Sequence, residues 1–213
     1  MPARLRPTGP VAPDAILVGD PGRALLLAQE LLRQPKMSNH ARGLWGYGGI
    51  THDGRELTIQ STGMGGPSAT VVLRDLAELG LRRAVRIGTG TGLSDIDLGQ
   101  QLIVREARTE SGAASRPDPE LSGRLEASLD EARPGVVVSL DSVHDPERES
   151  PSLLADLADM QTAALLAAAA DLGLAVAALL IVSERSDAGQ LPEDELAGAA
   201  KRAGVAAALS FSP

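Results

Sequence analysis

The chain contains no cysteine and almost no aromatic residues. Without cysteine, disulfide bonds, zinc–thiolate sites and cysteine-based catalysis are excluded. Trp45, Tyr47 and Phe211 are the only aromatic side chains among the 213 residues. A stacking surface for single-stranded nucleic acid needs several such rings, so a binding protein of that kind is not expected.

Excess positive charge and long apolar runs are missing as well. The formal net charge is −8, which disfavours a general nucleic-acid binder because that role needs excess positive charge. No apolar run is long enough for a membrane span, and residues 1–13 lack the apolar stretch of a signal peptide. We therefore expect a cytoplasmic protein that binds neither membranes nor nucleic acid.

Arginine dominates the basic residues. Of the 20 Lys and Arg residues, only Lys36 and Lys201 are lysine. Arginine presents a planar fork of N–H donors that suits phosphate and carboxylate groups. The three histidines are scattered and show no paired ligand spacing, so no metal site is expected.

Short apolar segments alternate with amphipathic segments, which predicts strands alternating with helices. Strands are predicted near residues 15–18, 84–87, 101–104, 135–140 and 175–182, with two more between residues 45 and 62 around an Asp-Gly turn. Helices are predicted at residues 23–32, 67–79, 121–131, 153–172 and 193–211, with irregular segments at 35–48 and 108–120. The alternation indicates one α/β domain over residues 1–213, with a central mixed, largely buried sheet flanked by helices and an extended lead-in at 1–13.

Three glycine-rich turns follow predicted strands, at residues 19–23, 63–68 and 88–92. In open α/β folds, ligands bind at the carboxyl ends of the strands, and glycine lets backbone N–H groups approach an anion. The third turn is not a dinucleotide fingerprint, because the sequence after it favours a turn rather than a helix. The turns therefore predict an anion site without a dinucleotide.

Two arginines and a threonine accompany these turns. Arg23 ends the first turn, Arg86 lies inside an otherwise apolar strand, and Thr89 follows three residues later. A buried cation is costly unless it has a partner. Two guanidinium groups, a hydroxyl and loop N–H groups would together hold a phosphate dianion.

Three motifs occur in the order and spacing of a known family: Gly19-Asp20-Pro21-Gly22-Arg23, Ser61-Thr62-Gly63-Met64-Gly65-Gly66-Pro67-Ser68 and Arg86-Ile87-Gly88-Thr89. They resemble the signatures of the nucleoside phosphorylase family, which includes purine nucleoside and uridine phosphorylases. The later string Asp159-Met160-Gln161 is similar to the Glu-Met-Glu that begins a helix in that family. The resemblance is close over residues 14–107 and looser over 136–211.

The resemblance implies an enzyme in which phosphate attacks the anomeric carbon of a nucleoside, giving a free base and ribose 1-phosphate. It implies that the phosphate is held by Gly19, Arg23, Arg42, Arg86 and Thr89. Arg42 would come from a neighbouring subunit, so a homodimer or a hexamer built from dimers is expected. Inorganic phosphate would be a co-substrate, and no cofactor is implied.

The same resemblance implies ribose or base contacts for Gly90, Val143, His144, Arg148, Met160, Gln161 and Glu184. It assigns the chemistry to Arg86, Thr89 and Gln161. Gln161 stands where the family has a glutamate that accepts hydrogen bonds from the sugar, and the lost charge would weaken that contact by about 1–2 kcal/mol.

The base is left open between two branches of the family. Glu184 or Asp187 could replace the aspartate that protonates a departing purine, and Arg148 could contact a uracil carbonyl. The string at residues 61–68 favours the uridine branch, so uridine is placed first and a purine nucleoside second.

Two other functions stay open at this point. A non-catalytic or weakly active homologue that binds a nucleoside or phosphate is favoured by Gln161, by Val143 in place of an aromatic residue, and by the shortened region 108–135. A nucleosidase that uses water is the other alternative, although such an enzyme would have no need for the arginines.

Overall fold

The fold is taken from a computed structural model that describes residues 4–142 and 154–212. The strands are β1 (Asp14–Val18), β2 (Leu32–Asn39), β3 (Gly46–Thr51), β4 (Glu56–Ser61), β5 (Arg83–Gly92), β6 (Gln101–Thr109), β7 (Ala114–Ser115), β8 (Arg133–Ser139), β9 (Leu157–Asp159), β10 (Ala175–Arg185) and β11 (Gly189–Gln190). The helices are α1 (Pro21–Leu31), α2 (Gly66–Glu78), α3 (Pro119–Ala127), α4 (Thr162–Leu172) and α5 (Glu193–Ser210), with a short 3₁₀ turn at Ala41–Gly43.

The centre of the sheet is parallel. Strand β1 lies between β4 and β5, and β5 pairs with β10, all in parallel. The carboxyl ends of these four strands therefore meet at one edge of the sheet. The hairpin β3–β4 and the edge strand β2 add antiparallel pairs, so the predicted mixed α/β architecture is confirmed.

Five strands also form a closed ring, in which β5 pairs with β10, β10 with β6, β6 with β8, β8 with β9 and β9 with β5. The short strand β9 closes the ring at the carboxyl end of β5, where Thr91 lies opposite Ala158. A Cβ on Gly90 would lie 2.3 Å from the carbonyl oxygen of Ala158. Glycine is therefore required at residue 90 for the ring to close.

Three predicted boundaries are wrong, each because a strand partner was not foreseen. Residues 88–92 were expected to turn, but β5 continues to Gly92 because β9 and β10 pair with its two sides. The helix expected at 153–172 begins only at Thr162, since residues 157–159 form β9. Residues 32–39 were expected to be partly irregular, yet they form an edge strand with a bulge at Gln34, which has a φ of 49°.

Helices cover both faces of the sheet. Leucines of α1 and α3 and alanines of α5 pack with Phe211 on one face, while α2 and α4 pack together on the other. Each fully buried leucine contributes about 1.5–3 kcal/mol relative to exposure. A Cβ on Gly204 would lie 2.7 Å from Leu27 Cδ2, so the small residues of α5 allow a close approach to α1.

The described part of the lead-in, residues 4–13, runs along the domain without a helix or strand. The backbone N–H groups of Arg4 and Leu5 both donate to the carboxylate of Asp75 at 2.8 Å. Near its end, the Ala12 N–H donates to the hydroxyl of Thr58 at 2.9 Å. None of the helices in the described part of the chain combines the length and apolar character that crossing a bilayer requires.

Candidate active site

A cavity of about 440 Å³ opens at the edge where the parallel strands end. Its walls come from the turn after β1, the loop before α2, the second half of β5, the segment from β9 to α4, and the end of β10. It brings together eight of the residues predicted for the site: Gly19, Arg23, Arg86, Thr89, Gly90, Met160, Gln161 and Glu184. Residues far apart in the sequence are thus gathered by the pairing of β1, β5, β9 and β10.

Arg86 is the buried cation that the sequence placed within a central strand. Its Nη2 donates to Asp159 Oδ2 at 2.9 Å, its Nη1 to Gln161 Oε1 at 2.7 Å, and its Nε to Thr162 Oγ1 at 3.0 Å. The side chains of Arg86 and Asp159 are 4% and 1% exposed. A buried ion pair of this kind needs good geometry and further hydrogen bonds to offset its desolvation, and Arg86 has both.

Asp159 also forms hydrogen bonds at the N-terminus of helix α4. Its carboxylate accepts the Thr162 backbone N–H, with Oδ2 at 3.0 Å, and the hydroxyls of Thr162 and Ser139, each at 2.5 Å. The same side chain therefore neutralises Arg86 and caps the helix N-terminus.

Arg23 lies half-buried at the start of α1 and faces the same cavity. Burial is the main cause that lowers the pKa of Arg23, and the nearby charge of Arg86 lowers it further, against the opposing effect of Asp20. Within the described residues, the Arg23 guanidinium has no hydrogen-bond or ion-pair partner, whereas its backbone N–H donates to Asp20 Oδ1 at 2.7 Å. Two like charges close together in a half-enclosed cavity favour an anion between them.

Backbone groups of two loops complete this end of the cavity. The loop before α2 has positive φ at Gly63 (71°) and Gly65 (81°), a backbone shape that favours glycine. It touches the turn after β1, because a Cβ on Gly19 would lie 3.5 Å from the carbonyl oxygen of Gly63. Both loops lead directly into helix N-termini, which attract negative charge.

Glu184 and Asp187, the two candidates for protonating a base, have different surroundings. Glu184 lines the cavity and is exposed, with no hydrogen-bond partner among the described residues. Asp187 accepts two hydrogen bonds from Arg185, at 2.7 and 2.8 Å, and these lower its pKa. Only Glu184 is placed to face a ligand in the cavity.

Four predicted residues are not brought to the cavity by the described structure. Arg42 is exposed in the 3₁₀ turn, with a φ of 60°, and does not line the cavity. Val143, His144 and Arg148 lie outside the described residues.

Sequence reasoning missed several residues of the site, above all Asp159 as the counter-ion of Arg86. Thr62 and Thr162 lie behind the cavity and bond to Gln161 and Arg86, while Ser183 and Thr91 line its wall. The signal for Asp159 was available, because a cation in a buried strand requires an acid and Asp159 begins the motif at 159–161. Among residues 4–142 and 154–212, no group of His, Asp or Glu side chains is arranged to hold a metal ion.

Comparison with known proteins agrees with this fold. A family model described as the phosphorylase superfamily matches residues 13–211. The DeoD-type purine nucleoside phosphorylase of Clostridium perfringens strain ATCC 13124 is 29% identical over 197 residues, covering 83% of this chain and 83% of its own. That of Alkaliphilus metalliredigens is 30% identical over 196 residues, covering 83% of this chain and 84% of its own.

A solved structure supports the fold independently. The crystal structure of purine nucleoside phosphorylase from Toxoplasma gondii in complex with immucillin-H matches with a TM-score of 0.83 at 21% sequence identity, covering 94% of this chain and 90% of that one. The fold is therefore that of a nucleoside phosphorylase. The chain belongs to the phosphorylase superfamily, which confirms the family recognised from the motifs and its enzyme class, pentosyltransferase. The roles of single residues stay predictions.

Proposed function

We propose that the protein catalyses the phosphorolysis of a nucleoside, with a purine nucleoside as the first candidate and uridine as the second. The observation that carries the proposal is that two arginines line one cavity: Arg23, in the first turn of α1 after β1, and Arg86, in the adjacent parallel strand β5. A phosphate oxygen would bond to the anomeric carbon while the bond from that carbon to the base nitrogen breaks. The electron pair would leave with the base, which takes up a proton.

The two arginines, Gly19 and Thr89 are proposed to hold the phosphate. Arginine-bound phosphate would deliver the nucleophile and place negative charge beside the cation that develops on the sugar. Inorganic phosphate is the only co-substrate that this scheme needs.

The order of the two bases rests on Glu184 and on the relatives. A protonated carboxyl group at Glu184 could donate to a nitrogen of a departing purine. The relatives named above are purine nucleoside phosphorylases. Arg148, which would contact a uracil carbonyl, lies outside the described residues. The preference for uridine drawn from the string at residues 61–68 stays a prediction.

A panel of inosine, adenosine, guanosine and uridine, incubated with and without phosphate, tests the proposal. We expect base release that requires phosphate and produces ribose 1-phosphate in equal amount. Base release that is independent of phosphate would identify a nucleosidase. Thermal stabilisation by nucleoside or phosphate without any turnover would identify a non-catalytic binding protein.

The role of Glu184 is tested against a neighbouring acid. Glu184→Gln should lower kcat for a purine nucleoside by about 10²-fold or more, the usual size of a general-acid contribution. The control Asp187→Asn should remain near wild type, because Asp187 is paired with Arg185 away from the cavity. Equal kcat values for the two variants would remove Glu184 from the mechanism.

We further propose that the active form is a homo-oligomer in which Arg42 reaches the phosphate of a neighbouring subunit. Its exposed position outside its own cavity is compatible with this role. Mixing inactive Arg42→Ala and Arg23→Ala subunits after unfolding and refolding together should restore activity in about a quarter of the sites of a dimer, since each mixed dimer has one intact site. No restoration would place Arg42 outside the neighbouring site.

A further inference from the structure

Both ends of the Gln161 amide are occupied by the protein itself. Its oxygen accepts from Arg86 Nη1 at 2.7 Å. It also lies 3.1 Å from Thr62 Oγ1, whose single proton has a nearer acceptor in the Val18 carbonyl oxygen at 3.0 Å. Its nitrogen donates to the carbonyl oxygen of Gly63. Because a guanidinium can only donate and a carbonyl can only accept, these partners fix which end of the amide is oxygen.

This arrangement leaves little of the Gln161 oxygen for a sugar hydroxyl. An amide oxygen has two lone pairs; Arg86 takes one of them, and Thr62 Oγ1 lies beside the other. One N–H bond of the amide is left over. Gln161 is 4% exposed, so its amide is held mainly by these protein contacts.

Arg86, in contrast, keeps part of its capacity for a ligand. A guanidinium has five N–H bonds, and Asp159, Gln161 and Thr162 accept three of them, one from each nitrogen. One N–H bond therefore remains on each terminal nitrogen. All three contacts come from the turn at residues 159–162, so this turn sets the plane of the guanidinium group.

We propose that Gln161 is a positioning residue for Arg86, and that its neutral amide lets the phosphate subsite bind a dianion more tightly than a carboxylate at residue 161 would. This inference rests on the proposed function, because it assumes that phosphate binds at Arg86. The side chains of Arg86, Asp159 and Gln161 carry a net charge of zero. A glutamate at residue 161 would make the same group −1 and place a carboxylate against the guanidinium meant for phosphate.

Restoring the family's glutamate therefore has opposite expected effects under the two roles of residue 161. If residue 161 served the sugar, Gln161→Glu would add a charged acceptor and improve nucleoside binding. If it serves Arg86, the same change weakens phosphate binding, because a new negative charge faces the dianion in a partly enclosed cavity.

The test uses the full chain and inorganic phosphate, measured by calorimetry without nucleoside. Gln161→Glu should lower phosphate affinity at least about tenfold, the size expected for one unfavourable charge a few ångströms away at reduced dielectric. Gln161→Met, which has similar length, should lower it about threefold, because Arg86 loses one tether and no charge is added. The control Gln29→Glu, on the exposed face of α1, changes the net charge equally and should leave phosphate affinity unaltered.

Steady-state kinetics separate positioning from sugar binding. The KM for phosphate should rise in Gln161→Glu while the KM for the nucleoside changes little. A lower nucleoside KM with unchanged phosphate affinity would overturn the inference and leave the proposed function intact. A wild-type protein that does not bind phosphate would contradict both the inference and the proposed function. If Gln161→Glu fails to fold, the calorimetric result for Gln161→Met decides.

Discussion

Replacing Asp159 with alanine should be among the most destabilising single substitutions in the chain. The change removes the carboxylate that neutralises Arg86, whose side chain is only 4% exposed. Breaking a buried ion pair by deleting one partner costs about 3–5 kcal/mol, because the remaining charge is left buried without compensation. The lost cap of α4 adds about 1 kcal/mol.

Equilibrium unfolding in urea, followed by circular dichroism, measures this loss. For a chain of this length, 3–5 kcal/mol corresponds to a fall in Tm of about 6–20 °C. A matched control is Glu126→Ala, which breaks an ion pair with Arg105 whose side chains are 43% and 42% exposed. Exposed pairs contribute about 0–1 kcal/mol, so the control should unfold almost as the wild type does.

A double-mutant cycle isolates the ion pair from the cap. In Arg86→Met combined with Asp159→Ala, no unpaired buried charge remains at this site, so the double variant should be more stable than Asp159→Ala alone. The bonds from Asp159 to Ser139 and Thr162 are lost in both variants and cancel. If Asp159→Ala were no more destabilising than Glu126→Ala, the reasoning from burial would be refuted.

Two further predictions concern the backbone around the site. Gly90→Ala should destabilise the protein by several kcal/mol, because its Cβ would lie 2.1 Å from Leu157 Cδ2 and 2.3 Å from the Ala158 carbonyl oxygen. Gly123→Ala, in α3 with nothing within 4 Å of the new Cβ, should instead stabilise by about 0.5–1 kcal/mol; thermal unfolding compares the two, and equal effects would contradict the packing argument. Asp20→Ala removes the side-chain cap of α1 and should cost about 0.5–2 kcal/mol in urea, whereas no loss would show that the helix start does not depend on it.

Much of the site could be predicted because its signals are local. Glycine turns after apolar strands mark the carboxyl edge of a parallel sheet. An arginine within such a strand indicates a buried charge that needs a partner. Arg23 and Arg86 do line one cavity, as this logic requires. The parallel pairing of β1 with β5, which opposes Leu17 and Arg86, supplies the geometry.

What could not be predicted depends on contacts between distant segments. Strand β9 has three residues, and nothing in their sequence indicates pairing; it forms because β5 and β8 offer free edges on either side. Because β9 was not predicted, α4 was expected to begin at residue 153, whereas it begins at Thr162. Gln161 was assigned to the sugar by resemblance, and only the structure shows that its oxygen accepts from Arg86.

The same ring closure explains why the site can hold a buried cation at all. Strand β9 brings Asp159 to the carboxyl end of β5, and helix α4 starts at once, so that one turn provides an acid, an amide and a hydroxyl to Arg86. Without these partners, the free-energy cost of burying a charge in a central strand would exceed the net stability of a domain, which is only about 5–15 kcal/mol. The structural role of this turn and its proposed role in phosphate binding therefore cannot be separated by deletion. They can be separated only by substitutions such as Gln161→Glu, which alter its charge and preserve its shape.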